Sequence, residues 1–391
     1  MPWSQPMTSE EQRRFLISDW INGNFSITEL ANRYQISRKT VYKWTGHFHK
    51  GGENALGDAS RSPKSCPHKT TIDVERSILS CRERFPTWGA KKILVYLAKV
   101  VDPGDLPCRA TICDILLRNG YSHSPKKRRN PGYPGPPNTS IDAVNATWCA
   151  DFKGEFKLRT GYYCYPLTIT DGFTRFLLTC KALPNTRTKG AFKGFEEAFR
   201  EYGLPDRIRT DNGVPFATMA IARLSALSVW FIRLGIYPEF IEPGKPQQNG
   251  RHERMHRTLK AETTKPPESS MFRQQKRFNA FQAEYNFERP HEAIKMATPG
   301  SIYKSSSREF PEKLPEMNYP NHFINRLVMS NGTVSYHGRR ILLSQVLSGQ
   351  QIGMEEIGHG VFNFYFGPVL LGKWCYDKPY VEGLTNHRRK V

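Results

Sequence analysis

Residues 206–216 read DRIRTDNGVPF. A short β-like run directly precedes Asp211 and the turn pair Asn212-Gly213 follows it, which puts Asp211 at the carboxyl end of a strand. That edge is where α/β sheets present their ligands. Upstream, Asp151 lies in TWCADFKGEF (147–156), an apolar run bounded by Lys153 and Gly154. A strand of that character spends a carboxylate where something charged meets it. Downstream, Glu253 lies in KPQQNGRHERMHRTLK (245–260), early in a helix that begins after Asn249-Gly250. Short β-like runs alternate with longer helical ones from Ala146 to about Tyr303, the texture of an α/β domain.

Taken singly, each acid is a surface charge or a strand-end cap. As a set they suit one chemistry. Attack on a phosphodiester must neutralise charge on the entering and leaving oxygens, and two divalent ions about 4 Å apart do so. Mg²⁺ takes a few carboxylate oxygens and fills its shell with water and phosphate, so three acids suffice. Arg254 adjoins Glu253, and Arg257 and Lys260 follow on its helix face at i+4 and i+7, placed for a DNA backbone.

The segments Trp148-Cys149-Ala150-Asp151, Thr210-Asp211-Asn212-Gly213 and Gln248-Asn249-Gly250 ahead of Glu253-Arg254 resemble the DDE transposase/integrase superfamily, with its retroviral-integrase-like RNase H catalytic core. Tyr285-Asn286-Phe287-Glu288-Arg289-Pro290-His291 and Thr298-Pro299 are similar to the same family, and within it the chain looks closest to bacterial insertion-sequence transposases of the IS481 type. The departures, Cys149 and Met255, touch none of the acids. The resemblance implies that Asp151, Asp211 and Glu253 are the catalytic residues and the metal ligands, holding two Mg²⁺ or Mn²⁺ ions. It implies a two-step reaction: water hydrolyses a phosphodiester at an element's end, and the freed 3′-OH then attacks target DNA. The implied partner is double-stranded DNA, both terminal inverted repeats and target, bound by a homo-oligomer of at least two chains. The implied setting is the bacterial cytoplasm, at the nucleoid. Asp171 in ITDGFTRF (169–176) resembles a family position that is not a ligand, and is read as structural together with Arg175.

Outward from the core, SITELANRYQISRKTVYKW (26–44) reads as a helix-turn-helix within an N-terminal domain at 8–50. Ser26 and Ser37 are candidate helix caps, and Glu29 suits the first helix's start. Leu30, Ala31, Tyr34, Ile36, Val41 and Trp44 form the inner face. Arg38, Lys39, Thr40, Tyr42 and Lys43 are left outward for phosphates and base edges. Gln35 stands where such turns usually carry glycine. A Gly/Ser/Pro-rich linker occupies 51–70. A second helical, helix-turn-helix-like unit spans 71–121, with Arg109 near the start of its last helix as a DNA contact and Cys108 and Cys113 read as packing thiols. Residues 122–140 form a Pro-rich linker whose Lys126-Lys127-Arg128-Arg129 run is cationic and DNA-facing. The catalytic core is expected at 141–305 and a small C-terminal β-barrel at 318–391, with Ser330-Asn331-Gly332 as a hairpin turn. The expected fold is thus multidomain α/β: all-α helix-turn-helix domains, a mixed sheet with flanking helices, and a small barrel.

Composition agrees with a polyanion partner. Lys and Arg number 57 against 36 Asp and Glu, for a net charge of +21 in 391 residues, and such a field favours DNA, RNA or an anionic membrane surface. No apolar run approaches the length of a membrane span, and the N-terminus reads as no signal peptide. The 8 cysteines show no paired CxxC spacing, which fits reduced thiols. One motif points elsewhere. His252-Glu253-Arg254-Met255-His256 matches H-E-x-x-H, the zinc protease signature, but its basic flanks argue for a DNA-facing helix. Two further rivals are a DNA-binding regulator without chemistry and a nuclease without strand transfer.

Overall fold

In the computed structural model, which describes residues 8–58, 60, 69–122, 140–242 and 250–383, Asp151 pairs with Thr168 across an antiparallel ladder. The ladder joins β1 (Thr147–Phe152) to β3 (Tyr163–Asp171). Short β2 (Phe156–Lys157) and β4 (Leu177–Leu183) also pair with β3 antiparallel. On the other side, β5 (Arg207–Thr210) runs parallel to β1, and β6 (Tyr237–Phe240) parallel to β5. This is the mixed sheet expected of an RNase H-like core.

Strand alternation then sorts the side chains. Trp148 and Ala150 of β1, with Leu167 and Ile169 of β3, enter one core with Phe195 and Phe199 of α7 (Thr188–Tyr202) and Phe231 of α8 (Ala226–Arg233). The positions between them, Asp151, Thr168 and Thr170, face the opposite layer. There α9 (Gly250–Thr263) and α10 (Met271–Ala283) bury Met255, Leu259, Phe278 and Phe281 against Cys164 and Cys180.

The helices α4 (Ile72–Arg84), α5 (Ala90–Leu97) and α6 (Arg109–Arg118) wrap Ile78, Trp88, Ile93 and Ile112 into their own core. Polar contacts tie them to the domain that carries the mixed sheet: Arg84 to Glu288 at 2.6 Å, Arg289 to Thr87 at 3.0 Å, and the Thr87 hydroxyl to Glu262. Cys108 and Cys113 are exposed, not packed. The register of α6 sends Ile112, Ile115 and Leu116 inward and turns Cys113 out.

The C-terminal strands correct two expectations. A five-stranded antiparallel sheet runs β13-β12-β11-β10-β7 (Glu382–Gly383, Val369–Cys375, Val361–Phe366, Gln351–Gly358, Ile324–Leu327). The hairpin β8–β9 (Thr333–Tyr336, Arg339–Leu342) forms a separate sheet. Only the single bridge Leu342–Tyr380 links β9 toward the larger sheet, so among the described residues no barrel closes. Val334 and Ile341 instead pack face to face with Ile352, Phe364 and Trp374, and with Val229 and Ile232 of α8. The hairpin does not turn at Ser330-Asn331-Gly332, because β7 takes β10 as its partner. It turns at His337-Gly338, where both residues have positive φ (44° and 75°), as a two-residue hairpin loop requires.

Two compact units divide the chain, Met1–Lys69 and Thr70–Val391. In the first, α1 (Ser9–Ile21), α2 (Ile27–Arg33) and α3 (Arg38–Gly51) enclose Leu16, Leu30, Ala31 and Val41. Ser26 and Glu29 cap α2 reciprocally: the backbone N–H of Ser26 donates to Glu29 Oε2 at 2.7 Å, and that of Glu29 to Ser26 Oγ at 3.3 Å. Ser37 caps α3. Gln35 holds φ at 53° in the turn between them, the left-handed conformation that glycine adopts more readily. Among the described residues no helix is long and apolar enough to cross a membrane.

Candidate active site

Asp151 ends the buried part of β1 on the face toward α9. Its carboxyl is pushed up to about 7, first by burial, then by the nearby charge of Asp211, with Glu253 adding to the same effect. Asp211 follows β5 directly, and its Oδ1 accepts the backbone N–H of Gly213 at 3.1 Å. A Cβ at Gly213 would lie 3.1 Å from Asp211 Oδ2, so the turn leaves little spare room beside the carboxylate. Glu253 stands exposed in the first turn of α9. The fold therefore gathers three acids from two strand ends and one helix into one electrostatic neighbourhood.

The chemistry of this donor set fits a divalent cation: hard carboxylate oxygens, one of them desolvated, that disfavour one another's charge. Among the described residues, however, no three His, Cys, Asp or Glu side chains stand close enough to hold one ion.

The two histidines of α9 are not DNA-facing. Both are buried, and both aim Nε2 at one atom, the Thr168 hydroxyl oxygen, at 2.7 Å (His252) and 2.6 Å (His256). That hydroxyl donates to the Asp151 carbonyl oxygen at 3.1 Å, which leaves its two lone pairs to accept from both imidazoles. Each ring therefore carries its proton on Nε2. His252 Nδ1 accepts from the Thr170 hydroxyl at 3.0 Å, and His256 Nδ1 lies 3.7 Å from Asp151 Oδ2. Burial pushes both imidazoles far down, to about 3 and about 2, so they stay neutral. The point on which a zinc ion would be centred is filled by a threonine oxygen. A periodic signal marks these histidines in the sequence: positions 252, 255, 256, 259 and 263 all face inward.

Opposite that buried face, Glu253, Arg257 and Lys260 are exposed together, with Arg254 beside them. Lys153 lies close enough to Lys260 and Asp151 to respond to both charges, and was not singled out in the sequence. Arg109, exposed at the start of α6, and Arg254 both act on Glu292. In the N-terminal unit Arg38, Lys39, Tyr42 and Lys43 are exposed. Thr40 is half-buried and shares its hydroxyl with Ser37 at 2.8 Å, so it serves the helix cap. Lys126, Lys127, Arg128 and Arg129 lie outside the described residues.

Asp171 is held by the backbone N–H groups of Asn145 and Thr174 and by the Thr174 hydroxyl, at 2.6–2.9 Å. Arg175 contributes to this corner through its backbone N–H, which donates to the Asp171 carbonyl at 3.0 Å. Its guanidinium does otherwise: Nη1 is buried with no hydrogen-bond partner.

Comparison with known families decides the assignment of this domain. Residues 142–246 and 234–299 each match an integrase core domain. Residues 142–299 are similar to the integrase core domain. Ahead of it, residues 12–64 match a helix-turn-helix domain and 40–116 a homeodomain-like domain. The chain is 26% identical over 161 residues to an insertion element IS407 protein of Burkholderia multivorans, covering 41% of this chain and 56% of that one. It is 33% identical over 118 residues to the Gag-Pol polyprotein of baboon endogenous virus, covering 30% of this chain and 6% of the polyprotein. It thus spans about half of the first relative and a small part of the second. Among solved structures, the HTLV-2 integrase catalytic core domain in complex with magnesium aligns at a TM-score of 0.33 and 17% identity, covering 41% of this chain and 96% of that one. All three acids of the candidate site fall within the integrase core.

Proposed function

We propose that the chain is a DDE transposase of the insertion-sequence kind, similar to the IS481 type, which binds the terminal inverted repeats of a mobile element, cuts their 3′ ends and joins them to target DNA. The observation that carries this reading is the carboxyl of Asp151, desolvated on its strand and raised by the charges of Asp211 and Glu253. Such a cluster lowers its own energy by taking up divalent cations.

Asp151, Asp211 and Glu253 would hold Mg²⁺ or Mn²⁺, two ions in all. Bound there, the ions would neutralise charge on the phosphate and lower the pKa of the attacking water or 3′-OH. The chain's own groups do the rest. The Thr168 hydroxyl and the two neutral histidines fix α9 against β1, and so fix Glu253 relative to Asp151. Arg254, Arg257 and Lys260 grip the DNA backbone along the exposed side of that helix. Arg38, Lys39, Tyr42 and Lys43 of α3, with Arg109 of α6, hold the repeat, and Thr40 closes the cap that orients α3. The working form is a homo-oligomer on DNA in the bacterial cytoplasm.

The test is incubation of the full chain with duplexes carrying the flanking terminal repeats and Mg²⁺, scoring cut and joined products. Binding of the repeats without either product, under Mg²⁺ and Mn²⁺, would overturn the reading in favour of a DNA-binding regulator. Cutting without joining would point to a nuclease.

A further inference from the structure

Beside the acidic cluster lies a small pocket lined by Cys149, Thr170, Arg175, Arg251, Met255 and Tyr285. Its interior offers about 10 Å³, room for a single water-sized oxygen. Arg175 Nη1, without a partner, is one of its donors. A buried guanidinium nitrogen that has lost its water and gained no acceptor destabilises the fold. Here the surroundings increase that cost. The nearby Cys149 thiol is held neutral by burial, its pKa pushed up to about 11. Tyr285, pushed up to about 12 by burial, is neutral too, so the charged groups that act on Arg175 are Arg251 and Arg254, both positive. Arg251 is exposed at the mouth, with Nη1 donating to the Gly172 carbonyl at 3.2 Å. Arg254 is exposed one position beyond Glu253. Three guanidiniums thus share one corner without an acid among the pocket's lining residues.

We propose that Arg175, Arg251 and Arg254 form a receptor for one phosphate of a nucleic-acid backbone, with a non-bridging oxygen entering the pocket to meet Arg175. The narrow interior suits an oxygen atom of that kind and excludes a base or an amino-acid side chain. The exposed arginines at the mouth match the remaining oxygens, and guanidinium forks are shaped for phosphate. This deepens the proposed function, on which it rests: it adds Arg175 of the β3–β4 turn to two arginines of the helix that carries Glu253, so that one phosphate is held from two elements.

The first test needs neither DNA nor a divalent ion. The full chain is melted in EDTA with inorganic phosphate or with chloride at matched ionic strength. Wild type should gain about 3 °C from phosphate, and Arg175→Met should gain nothing beyond the chloride curve. In chloride Arg175→Met should melt at or above wild type, because it removes an uncompensated charge. A variant that melts well below wild type in chloride, or phosphate curves that shift equally, would overturn the receptor. Arg251→Gln, at the exposed mouth, gives a second reading that does not disturb the interior, and should lose about half of the phosphate shift.

The second test identifies the source of the phosphate. A terminal-repeat duplex is scanned with single neutral methylphosphonates. One position should weaken wild-type binding about tenfold while leaving the affinity of Arg175→Met unchanged. If no position separates the two proteins, the pocket takes free anions and the nucleic-acid assignment is wrong. Failure of the proposed function is seen separately, as absence of repeat binding by wild type while the phosphate shift remains.

Discussion

His256 Nδ1 lies 3.7 Å from Asp151 Oδ2, and Thr168, which faces Asp151 across the ladder, holds that imidazole in place from the other side. The acid nearest the core is thus backed by a neutral ring whose proton points away from it. Replacing Thr168 by valine keeps the shape and removes the hydroxyl that two buried N–H donors share. Thr168→Val should destabilise the Thr70–Val391 unit by about 2–4 kcal/mol in urea unfolding, and Thr168→Ser should restore most of it. Equal stability of the valine variant and wild type would refute the shared-hydroxyl network. The same geometry predicts that the purified chain holds no stoichiometric zinc, by metal analysis of wild type and Glu253→Gln alike.

Asp151→Asn, Asp211→Asn and Glu253→Gln should each lower cleavage of terminal-repeat DNA by more than about 100-fold, since removing groups that only orient ligands already costs 10–100-fold. Repeat binding, measured by gel shift, should change little. Near-wild-type joining by any one of them would break the proposed ligand set.

Arg257 and Lys260 probe the exposed face of α9. Arg257→Glu with Lys260→Glu should reduce strand joining by about 100-fold, by displacing the DNA end from the acids. Total DNA affinity should fall only partly, because the N-terminal helices still bind. Joining at the wild-type rate would show that this face does not lead DNA into the site.

For the helix-turn-helix, Arg38→Ala with Lys39→Ala should weaken repeat binding and reduce the slope of log affinity against log salt by about 2, one for each phosphate no longer neutralised. Superimposable salt curves for the two proteins would remove both residues from the interface.

A pH effect resides where α10 meets the three-helix unit. Burial, with the charge of Glu262, raises the Glu284 carboxyl from its ordinary value of 4.5 to about 7. The folded state therefore binds this proton more tightly than the unfolded one. This group's contribution to stability should be full below about 4.5, fall by up to ~3 kcal/mol as pH rises to about 7, and level off above. Glu284→Gln should flatten that part of the profile in thermal melts between pH 4.5 and 7. An unchanged slope would place the titration elsewhere.

Much of the architecture was legible because it depends on local patterns. The Ser26/Glu29 box, the strand before Asp211 and the shared exposed face of Glu253, Arg257 and Lys260 are short-range signals, and each forms as read. What failed was non-local. Nothing within Ser330-Asn331-Gly332 reveals that β7 pairs with distant β10, and Asn-Gly chemistry makes a tight turn without making a hairpin. Cys113 went wrong by helix phase, since it lies about 100° round α6 from buried Ile112, and Cys108 stands at the N-cap, outside the helix's inner face. The histidines were misread because basic neighbours dominated the local reading, whereas Thr168, whose hydroxyl binds them, is a strand residue far away in sequence. Arg175 was grouped with Asp171 by proximity along the chain, and only its backbone does that work.

The three acids arrive from β1, β5 and α9, and the last of them comes late in the chain. A translation product that stops before α9 retains the helix-turn-helix segment and both aspartates, and has no Glu253. On the proposed function such a fragment would occupy element ends without cutting them, competing with intact copies for the same repeats. The order of elements along the chain thus makes incomplete synthesis a source of inhibitors rather than of uncontrolled nucleases, and the cell is spared breaks from unfinished enzyme.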